Sequence, residues 1–245
     1  MNFYGVIIGS EILNARREDS HFSFLRDQLK ERGFKLAGVF TIEDNPNLMK
    51  GIYEFIKSVP NSVMFSFGGI GATPDDYTRK VSAEVFRNGE MEFQKEFEKK
   101  IRDRFGNELI ERRIQMSYLP KDSGVLKNNP VNGMYGYYLD DRFFFVPGFP
   151  EMAHPMITEA FDKFYPNSQK KIFKKNLIAQ TSEANLIGWM ESLSPEITLS
   201  CLPKLDKDES GKIFPSAEIE ITSENSEILE IEFKKLQKVL NELGL

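Results

Sequence analysis

Three glycines in four residues, Gly68-Gly69-Ile70-Gly71, followed after Ala72-Thr73-Pro74 by the paired acids Asp75 and Asp76, are the part of this 245-residue sequence with the clearest chemical content. Residues without a Cβ let the backbone come close to an anion with its N–H groups turned toward it. Two carboxylates beside a phosphate repel it unless a Mg²⁺-like divalent cation sits between, and that combination serves phosphoryl chemistry. The same residues have a plainer use as a helix start, with Thr73 as N-cap, Pro74 as the first helical residue and Asp76 as the acid three places after the cap. Capping accounts for Thr73, Pro74 and one aspartate; it leaves Gly-Gly-x-Gly after a hydrophobic strand unexplained.

The elements that must hold this stretch alternate in type. Phe3 to Gly9 is a continuous apolar run, as in a strand buried on both faces. Phe22, Leu25 and Leu29 predict a helix over Asp19 to Arg32, closed by Gly33. A strand over Lys35–Thr41, a helix over Asn47–Lys57 and a strand over Ser62–Phe67 follow, and the last runs straight into Gly68. Strand, helix, strand, helix, strand at these lengths is the pattern of a largely parallel α/β sheet, whose ligands bind at the carboxyl ends of the strands. Further on, Phe93, Phe97 and Ile101 form the apolar stripe of an amphipathic helix over Glu90–Phe105. Residues 117–134 read as loop, including the turn Asn132-Gly133, and Asp140-Asp141 reads as the turn of a hairpin. A helix over Pro150–Tyr165 closes a three-layer α/β/α domain of residues 1–167.

Pro166-Asn167-Ser168-Gln169 and the lysines after it mark a boundary. Residues 168–245 then read as a small α+β domain of βαββα order. Its strands are expected at Ile172–Ala179, Glu196–Leu202 and Ser216–Thr222, and its helices at Ser182–Ser192 and Glu227–Leu243, with Asp206–Gly211 as a polar loop and Trp189 in the core.

Composition narrows the partners. Thirty-two basic against 37 acidic residues give a net charge of −5, so a broad basic surface for duplex nucleic acid is not expected. The single cysteine, Cys201, fits a reducing compartment and reads as buried packing. No apolar run reaches the ~18–20 residues of a membrane span, and the N-terminus has no basic leader region, so a cytoplasmic protein without a membrane partner is expected. Walker, GxGxxG, nucleophile-elbow and zinc-spacing motifs are absent.

Gly68 to Thr78 resembles the GGxGxTxDDxT signature of the molybdopterin-binding (MoaB/Mog-like) domain, shared by molybdenum-cofactor biosynthesis proteins and the N-terminal half of competence/damage-inducible CinA proteins. Gly9-Ser10-Glu11-Ile12-Leu13 with Asp19-Ser20-His21 is similar to that family's GDE[LI]L…DTN. Thr41 to Asp44 is similar to its acidic loop, and Val146-Pro147-Gly148-Phe149-Pro150 with Pro155-Met156 to its PGxPxxMxPM-like segment. These matches keep family order over residues 3–160, and Glu183-Ala184-Asn185-Leu186 with the βαββα pattern resembles the CinA middle domain. The chain departs from the pattern at Ser10 (family Asp), Ala15 (Gly), His21 (Asn) and Met152 (Glu).

The resemblance implies Asp76 as the acid at the phosphate and its metal, with Asp75 as a second metal ligand and Asp44 as a second catalytic or metal-binding acid. It adds Ser10, Glu11, Pro147 and Gly148 to Gly68, Gly69, Gly71 and Thr73 as ligand contacts. His21 reads either as a phosphate contact or as a surface residue at a helix start, and His154 as structural. Three functions follow from the resemblance. One is metal-dependent hydrolysis of ADP-ribose to AMP and ribose 5-phosphate, with Mg²⁺ or another divalent cation. The second is molybdopterin binding or adenylyl transfer, and the third a non-catalytic nucleotide-binding module. A homo-oligomer is implied by the family. The nicotinamide-mononucleotide deamidase activity of full-length CinA is not expected, because the domain that carries it is missing from this sequence.

Overall fold

In the computed structural model, which describes residues 1–106, 110–167, 171–207 and 210–244, the apolar runs of the first part become one sheet. Strand β1 (Asn2–Ile8) leads through α1 (Ser10–Leu13) to α2 (His21–Glu31), and β2 (Leu36–Ile42), α3 (Pro46–Ser58), β3 (Ser62–Phe67) and α4 (Thr78–Arg87) follow. A small ribbon of β4 (Met91–Phe93) and β5 (Tyr118–Pro120) brackets α5 (Lys95–Phe105) and α6 (Ile110–Ile114). Strands β6 (Gly124–Leu126), β7 (Gly136–Leu139) and β8 (Phe143–Val146) and helix α7 (Pro150–Phe164) complete it. The sheet order is β2-β1-β3-β8-β7-β6, with the first four strands parallel and β7 antiparallel to both its neighbours, β8 and β6.

Both faces of the sheet are covered. Alternate residues of the central strands face opposite sides, so Val6, Met64 and Phe145 pack with Tyr53, Val81 and Ile101 of α3, α4 and α5. Phe3, Phe65 and Phe144 pack on the other side with Leu25 of α2 and Ile157 and Phe161 of α7. All six residues of β3 are buried, which is why it reads as an unbroken apolar run. Because β1, β2, β3 and β8 are parallel, their carboxyl ends bring Ser10, Asp44, Gly68 and Pro147 to one edge.

Two expectations are corrected. Residues 91–93 form β4, since Asn88 (φ 52°) and Gly89 (φ 82°) end α4 in left-handed backbone and the chain continues extended. Phe97 and Ile101 are buried as their spacing predicted, whereas Phe93 is exposed and lies against Tyr118 with ring centres 5.1 Å apart. The region read as loop holds β5 and β6. The hairpin turn is as expected, with φ 54° at both Asp140 and Asp141, the sign a tight primed turn requires.

The chain divides into two compact units, residues 1–168 and 169–245. The second contains β9 (Phe173–Ala179), α8 (Ile187–Glu191), β10 (Thr198–Lys207), β11 (Ile213–Ser223) and α9 (Ser226–Glu242). Its antiparallel sheet, in the order β10-β11-β9, buries Ile219 and Ile221 with Trp189, Leu229 and Leu236. Pairing of Asp206 with Phe214 and Lys207 with Ile213 carries β10 into the stretch read as polar loop, and β11 starts just beyond it. Cys201 is half-buried in β10, and burial pushes its thiol up. Among the described residues no helix is long and apolar enough to cross a membrane.

Candidate functional site

Leaving β3, the chain turns through Gly68 (φ 105°) and Gly69 (φ 68°), conformations that favour glycine. Gly68 donates to the Val146 carbonyl at 2.9 Å, tying the loop to the end of β8. The start of α4 then fixes three carbonyls. The Thr78 hydroxyl donates to Gly68 O (2.8 Å), the Thr78 amide to Gly69 O (3.0 Å), and Arg79 Nη2 to Gly71 O (2.7 Å). In a trans peptide the N–H points away from the C=O, and no peptide bond here is cis. The amides of Gly69, Ile70 and Ala72 therefore face away from α4, and among the described residues none of the three has a hydrogen-bond acceptor. Unpaired N–H groups in a row make an anion-binding concavity.

This arrangement corrects the capping reading. Helix α4 begins at Thr78, five residues after Thr73, and its N-cap position is Tyr77. Asp76 does bond back to Thr73, its Oδ2 accepting from the Thr73 amide (2.7 Å) and hydroxyl (2.5 Å), but these bonds shape a turn within the loop.

The loop forms one wall of a cavity of about 610 Å³. Gly69, Ile70, Gly71, Ala72, Thr73 and Asp76 line that wall, and Pro147, Gly148, Phe149 and Met152 line a second at the entry to α7. The N-cap of α7, Phe149, makes no side-chain capping bond and Pro150 holds the first turn, so the positive end of the helix dipole stands at the cavity. The remaining lining is apolar and aromatic (Phe97, Phe105, Met116, Met134, Tyr135), with Asn132, Arg112 and Arg113 as polar members. The Asn132 side-chain Oδ1 accepts from Asn129 Nδ2 and the Met134 amide, and its Nδ2 donates toward Met152 Sδ at 3.7 Å. The cavity thus combines a glycine loop carrying unpaired amides with flat, apolar surface.

Of the site residues expected from sequence, Gly69, Gly71, Thr73, Asp76, Pro147 and Gly148 line the cavity. Gly68 braces it from beneath; its Cα would lie 3.4 Å from a Cβ on Gly148. Asp75 is exposed and is not in the lining. Ser10, Glu11 and Asp44 stand at the same sheet edge but also outside the lining. Asp44 Oδ2 accepts from the Ser10 amide (3.0 Å) and hydroxyl (2.9 Å). A serine here supplies a donor where the family aspartate would set a second carboxylate against Asp44. Glu11 faces Arg17, 4.0 Å away, and the Arg17 guanidinium lies 5.2 Å from the ring centre of Phe149 at the cavity wall. Among the described residues no group of three His, Cys, Asp or Glu side chains could hold a metal ion.

His21 is buried, 3% exposed, and stacks on Phe67 at 4.4 Å. Its Nε2 lies 3.2 Å from the Gly148 carbonyl and its Nδ1 3.2 Å from His154 Nε2. A carbonyl only accepts, so Nε2 of neutral His21 carries the proton, Nδ1 accepts, and His154 donates from Nε2. The relay braces the Pro147–Gly148 turn from behind. Burial lowers His21 from its ordinary value and, with His21 opposing, lowers His154 to about 4. The unfolded chain therefore binds these protons first: stability from this pair is complete above pH ~6.5 and is lost as pH falls toward 4. We expect the melting temperature to drop over that window and the drop to be smaller in His154→Gln; equal slopes in the two proteins would contradict the assignment.

Beneath the loop, Tyr53 meets Ser66 at 2.8 Å and Tyr137 meets Ser82 at 2.8 Å, all four buried. Sequence reading missed these pairs, Arg79, Arg17 and the aromatic wall. Tyrosines and serines spaced through hydrophobic runs were the available signal.

Fold and site together define an α/β domain that presents a glycine loop with unpaired amides at the carboxyl edge of its parallel strands. The chain belongs to the family described as "Probable molybdopterin binding domain", whose family model matches residues 5–166. A CinA-like protein of Sulfurihydrogenibium sp. is 28% identical over 200 residues, covering 77% of this chain and 49% of that protein. The chain thus spans about half the length of that relative. A Pyrococcus abyssi protein is 28% identical over 195 residues, covering 74% and 76% respectively. The crystal structure of the protein CinA from Thermoplasma acidophilum superposes with a TM-score of 0.59 at 22% identity, over 66% of this chain and 98% of that one.

Proposed function

We propose that the chain binds a phosphorylated nucleotide or pterin with its phosphates on the Gly69–Ala72 amides, and hydrolyses a phosphoanhydride of the ADP-ribose type. The observation that supports this most is the row of unpaired amides in a loop that lines a cavity whose other lining is largely aromatic and sulfur-rich. A diphosphate suits the unpaired amides and a flat heterocycle the aromatic lining. Asp76 faces the same space with Oδ1 free of the Thr73 bonds, and Asp75 is next to it. These residues suit a divalent cation carried in by the phosphates, which needs only one or two protein carboxylates. Such a cation, when bound, would polarise phosphorus and lower the pKa of an attacking water. Asp44 acts in this reading by holding Ser10 and the start of α1. The protein would work in the cytoplasm as a homo-oligomer on a small phosphorylated ligand, with the second unit corresponding to the CinA middle domain.

The test is Mg²⁺- or Co²⁺-dependent conversion of ADP-ribose to AMP, followed by chromatography, with Asp76→Asn alongside. We expect AMP from the wild type and a rate at least ~100-fold lower in the variant, as for loss of a group that stabilises transition-state charge. No AMP with either metal rejects hydrolysis. A second reading, molybdopterin or nucleotide binding with adenylyl transfer or without turnover, is favoured by the uncharged Ser10 beside Asp44 and by Met152 in the cavity wall. Under it, the ligand stabilises the protein by mass action and is recovered unchanged or adenylylated.

A further inference from the structure

Arg79 is 9% exposed, and no acid pairs with it among the described residues. Nη2 donates to Gly71 O at 2.7 Å, Nη1 to the carbonyls of Gln115 and Tyr118, and Nε is buried with no acceptor. The guanidinium is thus solvated by carbonyl dipoles, with its charge uncancelled by any contact. A buried charge without a counter-ion is costly, and burial accordingly makes this one easier to deprotonate than usual, against the pull of Tyr137 and Asp76. A negative ligand on the glycine loop would return that cost.

We propose that Arg79 is a positioning residue for the anion, acting through a single peptide group. It draws the Gly71 carbonyl inward, which turns the Ala72 N–H of the same peptide toward the cavity. Its charge also polarises that peptide, making the Ala72 N–H a stronger donor than a neutral anchor could. The Gly69 and Ile70 amides are set by Thr78 instead, so the effect is confined to one of the three donors. Through Gln115 and Tyr118 the same side chain secures the backbone on both sides of Met116, another residue of the cavity lining.

This rests on the phosphate reading of the loop, and the experiment separates the two. Inorganic pyrophosphate is titrated calorimetrically into the full chain as wild type, Arg79→Met and Arg79→Lys, and amide spectra are recorded for each. Arg79→Met should bind about tenfold or more weakly, with Arg79→Lys, which keeps charge but not the fork, in between. The Ala72 amide should move upfield in Arg79→Met while those of Gly69 and Ile70 move less. Wild-type affinity in a folded Arg79→Met, or Arg79→Lys as weak as Arg79→Met with all three amides displaced together, overturns the proposal. If Arg79→Met does not fold, Arg79→Lys decides: weaker binding with a shifted Ala72 amide supports it, and unchanged affinity with an unmoved Ala72 overturns it. A wild type that binds no pyrophosphate removes the phosphate reading, and this proposal with it.

Discussion

Gly68→Ala should both destabilise the first unit and, on the proposed phosphate-binding function of the loop, abolish binding of pyrophosphate. At φ 105° an alanine is strained whatever space surrounds it, and its Cβ would lie 2.6 Å from the carbonyl oxygen of Ile8. That oxygen belongs to the backbone of β1, a strand paired on both sides, so it cannot swing aside as a side-chain tip could. Strain of ~1–3 kcal/mol and a comparable packing penalty give about 2–6 kcal/mol, a large share of the ~5–15 kcal/mol typical of a domain. The loop can relieve the clash only by lifting off β1, which carries the Gly68 and Gly69 peptides away from Thr78 and misaims two of the three amides. Gly51→Ala is the control, because nothing lies within 4 Å of a Cβ there; alanine inside α3 should leave stability unchanged or raise it by up to ~1 kcal/mol. Thermal melts with and without pyrophosphate check both variants. A Gly68→Ala protein with wild-type melting and a wild-type pyrophosphate shift would refute this account of the loop.

Much of the scaffold was legible because the central strands are buried on both faces and so appear as continuous apolar runs between amphipathic segments. The start of α4 was misplaced for a physical reason. Thr73, Pro74 and Asp76 satisfy the local chemistry of a helix start, yet that chemistry serves a turn, and the helix waits until Thr78 can bond back to Gly68 and Gly69. Only the fold shows that Thr78 has two carbonyls to hold. The ribbon strand β4 was hidden because Phe93 continues the helical spacing of Phe97 and Ile101.

In the site, what is local could be read and what is assembled could not. The glycines, Asp76 and the Pro147–Gly148 turn are contiguous motifs that the topology brings together. Phe97, Tyr135 and Met116 are ordinary core-type residues in sequence, and nothing in their spacing tells a cavity wall from a packed one. The His21–His154 pair spans 133 positions, and a histidine at a helix start gives no sign that another will reach it. Ser10 was legible as a departure, but its consequence, a neutral partner for Asp44 at 2.9 Å, needed the geometry of two strand ends.

Phe65→Ala should be a large and purely structural loss, and its behaviour with ligand should be the opposite of Gly68→Ala. Phe65 is fully buried in β3, with ring centres 4.8 Å from Phe161, 5.0 Å from Phe144 and 6.4 Å from Phe3. Truncation removes the ring at the middle of this aromatic layer, between strands that cannot close the gap without breaking their ladder. A cost of about 3–5 kcal/mol is expected, or roughly 6–20 °C in melting temperature for a domain of this size. Phe65→Leu keeps most of the volume and should cost less than ~1.5 kcal/mol. Phe65 points to the α2 and α7 side of the sheet, whereas the glycine loop is held by α4 on the other, so the amides should keep their aim in the folded fraction. Pyrophosphate should then raise the melting temperature of Phe65→Ala about as much as that of the wild type, since the stabilisation depends only on ligand concentration and affinity. Loss of that shift in Phe65→Ala would mean that the aromatic layer and the loop are one cooperative unit, and that α4 alone does not set the anion site.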